Sequence, residues 1–235
     1  MLIDTHVHLD AFPDSEIEAI LDRGHDVGVG FVICAGTTVD SSIRSVDLSR
    51  KFHPFFSGVG VHPMDISKPL TTEDYQILTE LASNEPKVIV MSEIGLDYME
   101  GMPDRAWQFT AFREQISIAR ALNLPIVFHS REAHQVIDLG FYISIARPIF
   151  RLPHLQEVVT KIPIEYIVIE TDSAPQPFKK NRDNWTEPRY LRPITEKIAE
   201  LKDMDIDIVE ASLFQNTKKL LSNQWEIITQ SVPNS

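Results

Sequence analysis

Two histidines, His6 and His8, sit at the end of the first apolar run of this chain, Leu2–Asp4 and its continuation. In a strand, residues i and i+2 point to one face. The two imidazoles therefore stand side by side, with Asp4 on the same face below them, and imidazoles so placed suit a divalent metal. Taken alone, the pair reads equally well as two partly buried histidines. It is not alone. Further apolar runs end in Gly60-Val61-His62-Pro63, Ser92-Glu93-Ile94-Gly95-Leu96-Asp97, Phe128-His129-Ser130-Arg131 and Glu170-Thr171-Asp172-Ser173. Each has a plain reading: His62 as a turn residue, Glu93 as a solvated acid, Asp172 as a helix cap. Their joint placement on separate strand ends points to a metal site of mixed nitrogen and carboxylate ligands. In such a site Glu93 has two oxygens and can bridge two cations about 3.5–4 Å apart, which activate water and clamp the oxygens of an in-line displacement. Asp172 can ligate and also steer the attacking water as general base.

The elements that must position these groups follow from hydrophobic periodicity. Short apolar runs are predicted as strands at Leu2–Asp4, Phe31–Cys34, Phe55–Val61, Val88–Met91, Pro125–Phe128, Phe141–Ile145 and Tyr166–Ile169. Helical spacing follows at Glu16–Arg23, Thr72–Leu81, Trp107–Leu122, Glu187–Leu201 and Asp207–Leu221, with Phe109 and Phe112 read as core. Strand alternating with helix predicts a parallel α/β fold, a TIM-type (β/α) barrel in one domain, 1–235, whose strand ends converge on one mouth. Strand starts lie 24–37 residues apart except for one gap of 16, between the runs beginning at Pro125 and Phe141. Seven strands are counted where a closed barrel of this type has eight, so about one strand-helix unit is missing between residues 130 and 141.

With 34 acidic and 22 basic residues the net charge is −12. That disfavours a protein that coats nucleic acid with a broad basic face. It leaves a metal-dependent nuclease open, because bound cations supply positive charge where phosphate must sit. Cys34 is the one cysteine. It allows no internal disulfide, suits a reducing compartment and is read as a small core residue. The start, Met1-Leu2-Ile3-Asp4, lacks a signal-peptide pattern, and no apolar run is long enough for a membrane span. A cytoplasmic protein with no membrane association and no obligate protein partner is expected. There is no Gly-rich phosphate loop and no G-x-S-x-G elbow, which disfavours P-loop chemistry and a serine hydrolase.

The motifs resemble the TatD family of metal-dependent hydrolases. The matching segments are Ile3-Asp4-Thr5-His6-Val7-His8-Leu9-Asp10, Gly60-Val61-His62-Pro63, Glu93-Ile94-Gly95-Leu96-Asp97-Tyr98, Leu124 to Ala133 and Glu170-Thr171-Asp172-Ser173. The closing pattern Glu187-Pro188-Arg189-Tyr190-Leu191 and Asn216 also match. The resemblance implies a barrel of the metal-dependent hydrolase type, two divalent metals (Mg, Mn or Zn) and hydrolysis of DNA phosphodiesters, for some members as 3′→5′ exonucleases. Carried over by position, His6 and His8 bind one metal, Glu93 bridges, His129 binds the other, and Asp172 ligates and acts as base.

The departure falls at the short gap. Arg131-Glu132-Ala133-His134-Gln135 resembles the start of one family helix, and Val136-Ile137-Asp138-Leu139-Gly140-Phe141 the end of the next. An excision of about thirty residues would remove a strand, parts of two helices and one histidine ligand, leaving fewer metals bound or none. His134 and His154 are the candidates to replace that imidazole, although both suit exposed surface. The family's Asn before Glu-Pro is replaced by Thr186. DNA is the expected substrate: His62 and Arg131 point toward the mouth, and Lys179, Lys180 and Arg182 cluster after Asp172. Two other readings stand beside the nuclease. One is a small-molecule amidohydrolase, although those enzymes often place a modified lysine where Glu93 stands. The other is a degenerate, non-catalytic family member.

Overall fold

The computed structural model describes residues 1–131 and 141–232, the side chains of 130 and 131 excepted. The described residues fall into two compact units, one holding 1–33, 141–222 and 232, the other 34–131 and 223–231.

In the second unit three parallel strands, β3 (Phe55–Val59), β4 (Val88–Asp97) and β5 (Ile126–Arg131), lie in that order. The register Gly95↔His129 and Asp97↔Arg131 slips between Met91 and Ile94, so a bulge falls at Glu93. Such bulges re-aim side chains beside active sites. Gly95 permits the close approach here, since a Cβ at that position would lie 1.9 Å from the His129 carbonyl oxygen. Helices α2 (Val39–Lys51) and α3 (Thr72–Asn84) each begin with a capping box, Thr38 with Ser41 and Thr71 with Asp74. Helix α4 (Arg105–Ala121) begins on Asp104, whose Oδ1 accepts from the amides of Ala106 and Trp107.

The buried face of α4 carries Gln108, Ala111, Gln115 and Ala119. The two glutamines are buried because they satisfy strand-end backbone beyond the ladder. Gln115 accepts from the Val61 amide (2.7 Å) and donates to the Val61 carbonyl. Gln108 does the same at Asp97, with both distances 2.9 Å. Phe109, expected in the core, is instead 49% exposed, with the Arg113 guanidinium over its ring. The apolar spacing there is outweighed by the two amides, which take the inward positions. Phe112 does pack on the core, and Cys34 is buried as expected.

The first unit holds β1 (Leu2–Val7), the start of β2 (Val29–Ala35), and the parallel pair β6 (Ile143–Ile145) and β7 (Ile167–Ile169). The chain beyond β7 runs beside β1. Asp172 donates its amide to the His6 carbonyl (3.1 Å), His8 donates to the Ser173 carbonyl (2.7 Å), and Val7 and Ser173 form a parallel bridge. Helices α1 (Asp14–His25), α5 (Pro153–Lys161), α6 (Leu191–Lys202) and α7 (Ile206–Leu220) complete the unit, and α8 (Trp225–Ser231) belongs to the other. Helix α6 starts four residues later than its periodicity suggests, because Pro188–Tyr190 form a separate 3₁₀ turn. Asn216, from the closing pattern, donates to the carbonyls of Ile164 (2.7 Å) and Ile167 (2.8 Å) and so ties α7 to the start of β7.

Glu187 is 1% exposed and accepts from Arg23 twice (2.8 Å each) and from Arg182 (2.8 Å), with Arg189 at 3.3 Å. Burial pushes its carboxyl up, but the hydrogen bonds from Arg23 and Arg182 outweigh burial and hold it below the usual glutamate value. A depressed folded pKa gives stability that is present above the unfolded value and lost as pH falls through the folded one. Glu187→Gln should therefore cost roughly 2–3 kcal/mol at neutral pH, less than a fully buried pair because the arginines are partly hydrated. It should also flatten the loss of urea stability below about pH 4.5. Parallel pH profiles for the two proteins would remove Glu187 from that role.

Candidate metal centre

In the first unit the His6 and His8 rings meet edge to face, with centroids 4.8 Å apart and Nε2 atoms 3.1 Å apart. Asp172 Oδ1 lies 3.4 Å from His8 Nε2. The hydrogen bond from His8 holds the Asp172 carboxyl below the usual carboxylate range. Asp4 does not join this group. It is fully buried, accepts from the Thr171 amide (2.9 Å) and hydroxyl (2.6 Å), and so holds the loop that presents Asp172. Burial pushes the Asp4 carboxyl well up.

In the second unit His62, just beyond β3, meets Glu93 and His129; Glu93, expected at a strand end, lies within β4, which runs on to Asp97. His62 Nε2 lies 3.3 Å from Glu93 Oε2, the His62 and His129 rings are 4.3 Å apart, and His129 Nε2 lies 3.0 Å from Asp97 Oδ2. Asp97 is fully buried, and its other oxygen accepts from the Met99 amide (3.1 Å). A carboxylate only accepts, so the His129 proton is on Nε2 and the Nδ1 lone pair is left for a ligand. His62 has the opposite tautomeric consequence. Its Nδ1 accepts from the Met64 amide (3.1 Å), so Nε2 carries the proton and donates toward Glu93. His62, Glu93 and His129 offer atoms within 4.8 Å of one another, yet this tautomer makes His62 a donor and not a metal ligand. Burial holds the His62 imidazolium pKa below its usual value, with His129 adding to the effect and Glu93 opposing it.

Glu93 has φ 57° and Asp172 φ 53°. Both acids thus sit in the left-handed region, which costs a non-glycine residue on the order of 1 kcal/mol or more. Glu93→Gly should accordingly melt higher than Glu93→Ala, by about 1 kcal/mol of stability. Equal melting of the two would mean that position 93 holds no such strain.

The family model described as TatD related DNase matches residues 3–137 and 133–222. The chain belongs to this family of metal-dependent hydrolases. It is 29% identical to the uncharacterized metal-dependent hydrolase YabD of Bacillus subtilis, with 94% of this chain and 98% of YabD covered. It is 27% identical to a protein of Salmonella typhimurium named 3′-5′ ssDNA/RNA exonuclease TatD, with 86% and 91% covered. Among solved structures, the TatD homologue YjjV of Escherichia coli superposes with a TM-score of 0.84 at 24% identity, over 94% of this chain and 98% of that one. That likeness bears out the TIM-type barrel of the metal-dependent hydrolases. The missing unit is visible in the alignments. The family match breaks and resumes within 133–137. The YabD alignment runs over 256 positions against about 221 residues of this chain, leaving about 35 positions opposite nothing. Seven strands stand among the described residues.

The residues present suit a divalent cation. Two ligand nitrogens about 2.0–2.1 Å from one tetrahedral metal lie roughly 3.3 Å apart, close to the separation of His6 Nε2 and His8 Nε2. Asp97 holds His129 in the tautomer that ligation needs. Arg131 and His134 cannot be placed: the side chain of the first and the whole of the second lie outside the described residues. His154 is exposed on α5 (Pro153–Lys161) and is in neither group of candidate ligands found among the described residues. Lys179 and Lys180 line a cleft with Asp172. Arg182, grouped with them in the sequence, does not line it; its guanidinium is held by Glu16 and Glu187 and stacks on Trp185. Three residues that sequence reasoning gave no role, Asp97, Gln108 and Gln115, turn out to hold the site residues in place. The trace of the two glutamines was a Gln repeated after seven residues on an apolar helix, and that of Asp97 its place in the motif Glu93-Ile94-Gly95-Leu96-Asp97-Tyr98.

Proposed function

We propose that the protein is a cytoplasmic metal-dependent deoxyribonuclease of the 3′→5′ exonuclease type, working as a single hydrolase domain, 1–235, with two divalent cations (Mg, Mn or Zn). The ligands are His6, His8 and Asp172 on one unit and Glu93 and His129 on the other. The observation that carries the reading is the convergence of His6 Nε2 and His8 Nε2 at 3.1 Å beside the Asp172 carboxylate. Bound cations supply Lewis acidity and lower the pKa of water. Asp172 accepts the proton of the attacking water as its oxygen bonds to phosphorus and the P–O3′ bond breaks; the departing 3′-oxygen of the shortened strand takes a proton from water, and a 5′-mononucleotide is released. His62, neutral with its one proton on Nε2, keeps the Glu93 carboxylate oriented at the substrate side of the site. Lys179, Lys180 and Arg131 are the cationic groups proposed for the DNA backbone.

The test is the release of mononucleotides from a labelled single strand by Mn²⁺-loaded protein, with a cyclic amide and a lactone as parallel substrates. Mononucleotide release that stops with chelator supports the nuclease. Hydrolysis of the amide or lactone alone would make it an amidohydrolase. Well-folded protein that retains no metal and cleaves nothing would make it a non-catalytic member of its family.

A further inference from the structure

A cleft of about 890 Å³ opens beside Asp172 in the first unit. It is lined by Arg147 and Arg151 from the segment after β6 and by Phe178, Lys179 and Lys180 from the segment after Asp172. In a chain of charge −12 these cations are unusually placed. Five other arginines, Arg23, Arg50, Arg182, Arg189 and Arg192, are each held by a carboxylate. Among the described residues no carboxylate pairs with Arg147, Arg151, Lys179 or Lys180. Arg147 is nonetheless fixed: Nη1 donates to the Thr186 hydroxyl (2.7 Å) and the guanidinium lies over the Tyr190 ring at 4.1 Å. Thr186 thereby holds an arginine in the cleft. Lys179 is fixed too, by Gln176 Oε1 (2.6 Å) and the Asn184 carbonyl (2.9 Å). Burial, and then the charges of Arg147 and Arg151, hold its ammonium below the usual lysine range. Glu170 and Asp172 also line the cleft, but neither pairs with any of the four cations, and a concave surface with four cations unpaired by carboxylates is a site for a polyanion. Phe178, 79% exposed, adds an apolar face at the rim.

We propose that this cleft is the groove for a single polynucleotide strand leading to Asp172, with Arg147, Arg151, Lys179 and Lys180 on successive phosphates and Phe178 stacking on a base. Backbone cations with an aromatic platform are what single-strand binding needs. The inference rests on the nuclease reading for its choice of polyanion.

The test is the affinity of Mn²⁺-loaded protein for a short phosphorothioate oligothymidylate, followed by fluorescence anisotropy across a salt series. Arg147→Gln with Arg151→Gln should weaken binding at low salt about tenfold or more and reduce the slope of log affinity against log salt by about 1.4, two phosphates at about 0.7 each. Arg151→Gln alone, at an exposed side chain, should remove about half of that slope change and guards against misfolding of the pair. Phe178→Ala should weaken binding about fivefold to a hundredfold with the slope unchanged. The same charge change at Lys218 and Lys219 on α7 should leave the slope as it was. Unaltered affinity and slope in the arginine variants, with wild-type protein binding well, would overturn the groove and leave the nuclease standing. Tight binding through the cleft by a protein that cleaves no unmodified strand would support the groove and overturn the nuclease. No binding of the strand by wild-type protein at low salt would overturn both.

Discussion

Asp172→Asn is expected to lower strand hydrolysis by about a thousandfold or more, because it removes an anionic ligand and the proton acceptor together. The substitution keeps size and shape. It also suits the backbone, since φ 53° at this position is one that Asn adopts more readily than most residues. Loss of activity would thus not report misfolding. The check is single-turnover hydrolysis beside a melting curve and a metal count. Activity within about tenfold of wild type would take Asp172 out of the chemistry.

Asp97→Asn is expected to weaken metal binding about 10–100-fold while leaving the site's side chains otherwise in place. The buried carboxylate accepts from the Met99 amide at one oxygen and from His129 Nε2 at the other. An asparagine has one oxygen for these two donors. With that oxygen toward Met99, its amide faces His129 Nε2 and forces the proton onto Nδ1, the nitrogen needed for ligation. With the oxygen toward His129, two donors face each other at Met99 in a dry environment. The measurement is competition with a metal-sensitive dye. Unchanged affinity would show that His129 does not bind through Nδ1.

Much of this site could be read in the sequence because its groups are local. His6 and His8 are two residues apart on one strand, and strand parity alone puts their rings together. The strand ends at His62, Glu93, His129 and Asp172 were legible because each closes an apolar run. The missing unit was legible as a short spacing between runs. Phe109 was misread for an instructive reason: apolar spacing marks a helix face as buried, but the inward positions of α4 belong to amides that satisfy strand-end backbone.

The sequence by itself determined the family, the alternation of strand and helix, and the identity of the candidate ligands, since these depend on residue type and on periods of two and 3.6. Only the tertiary structure decided which nitrogen of His62 and of His129 carries a proton, because the partners that settle it, the Met64 amide for His62 and Asp97 for His129, are matters of distance and direction. It alone decided that Glu93 and Asp172 take left-handed backbone angles, which no side chain of that type prefers. It also separated Arg182, neutralised by Glu16 and Glu187, from Arg147 and Arg151, with which no carboxylate pairs among the described residues. A cation's role follows from the charges around it, and those are set by residues far away along the chain.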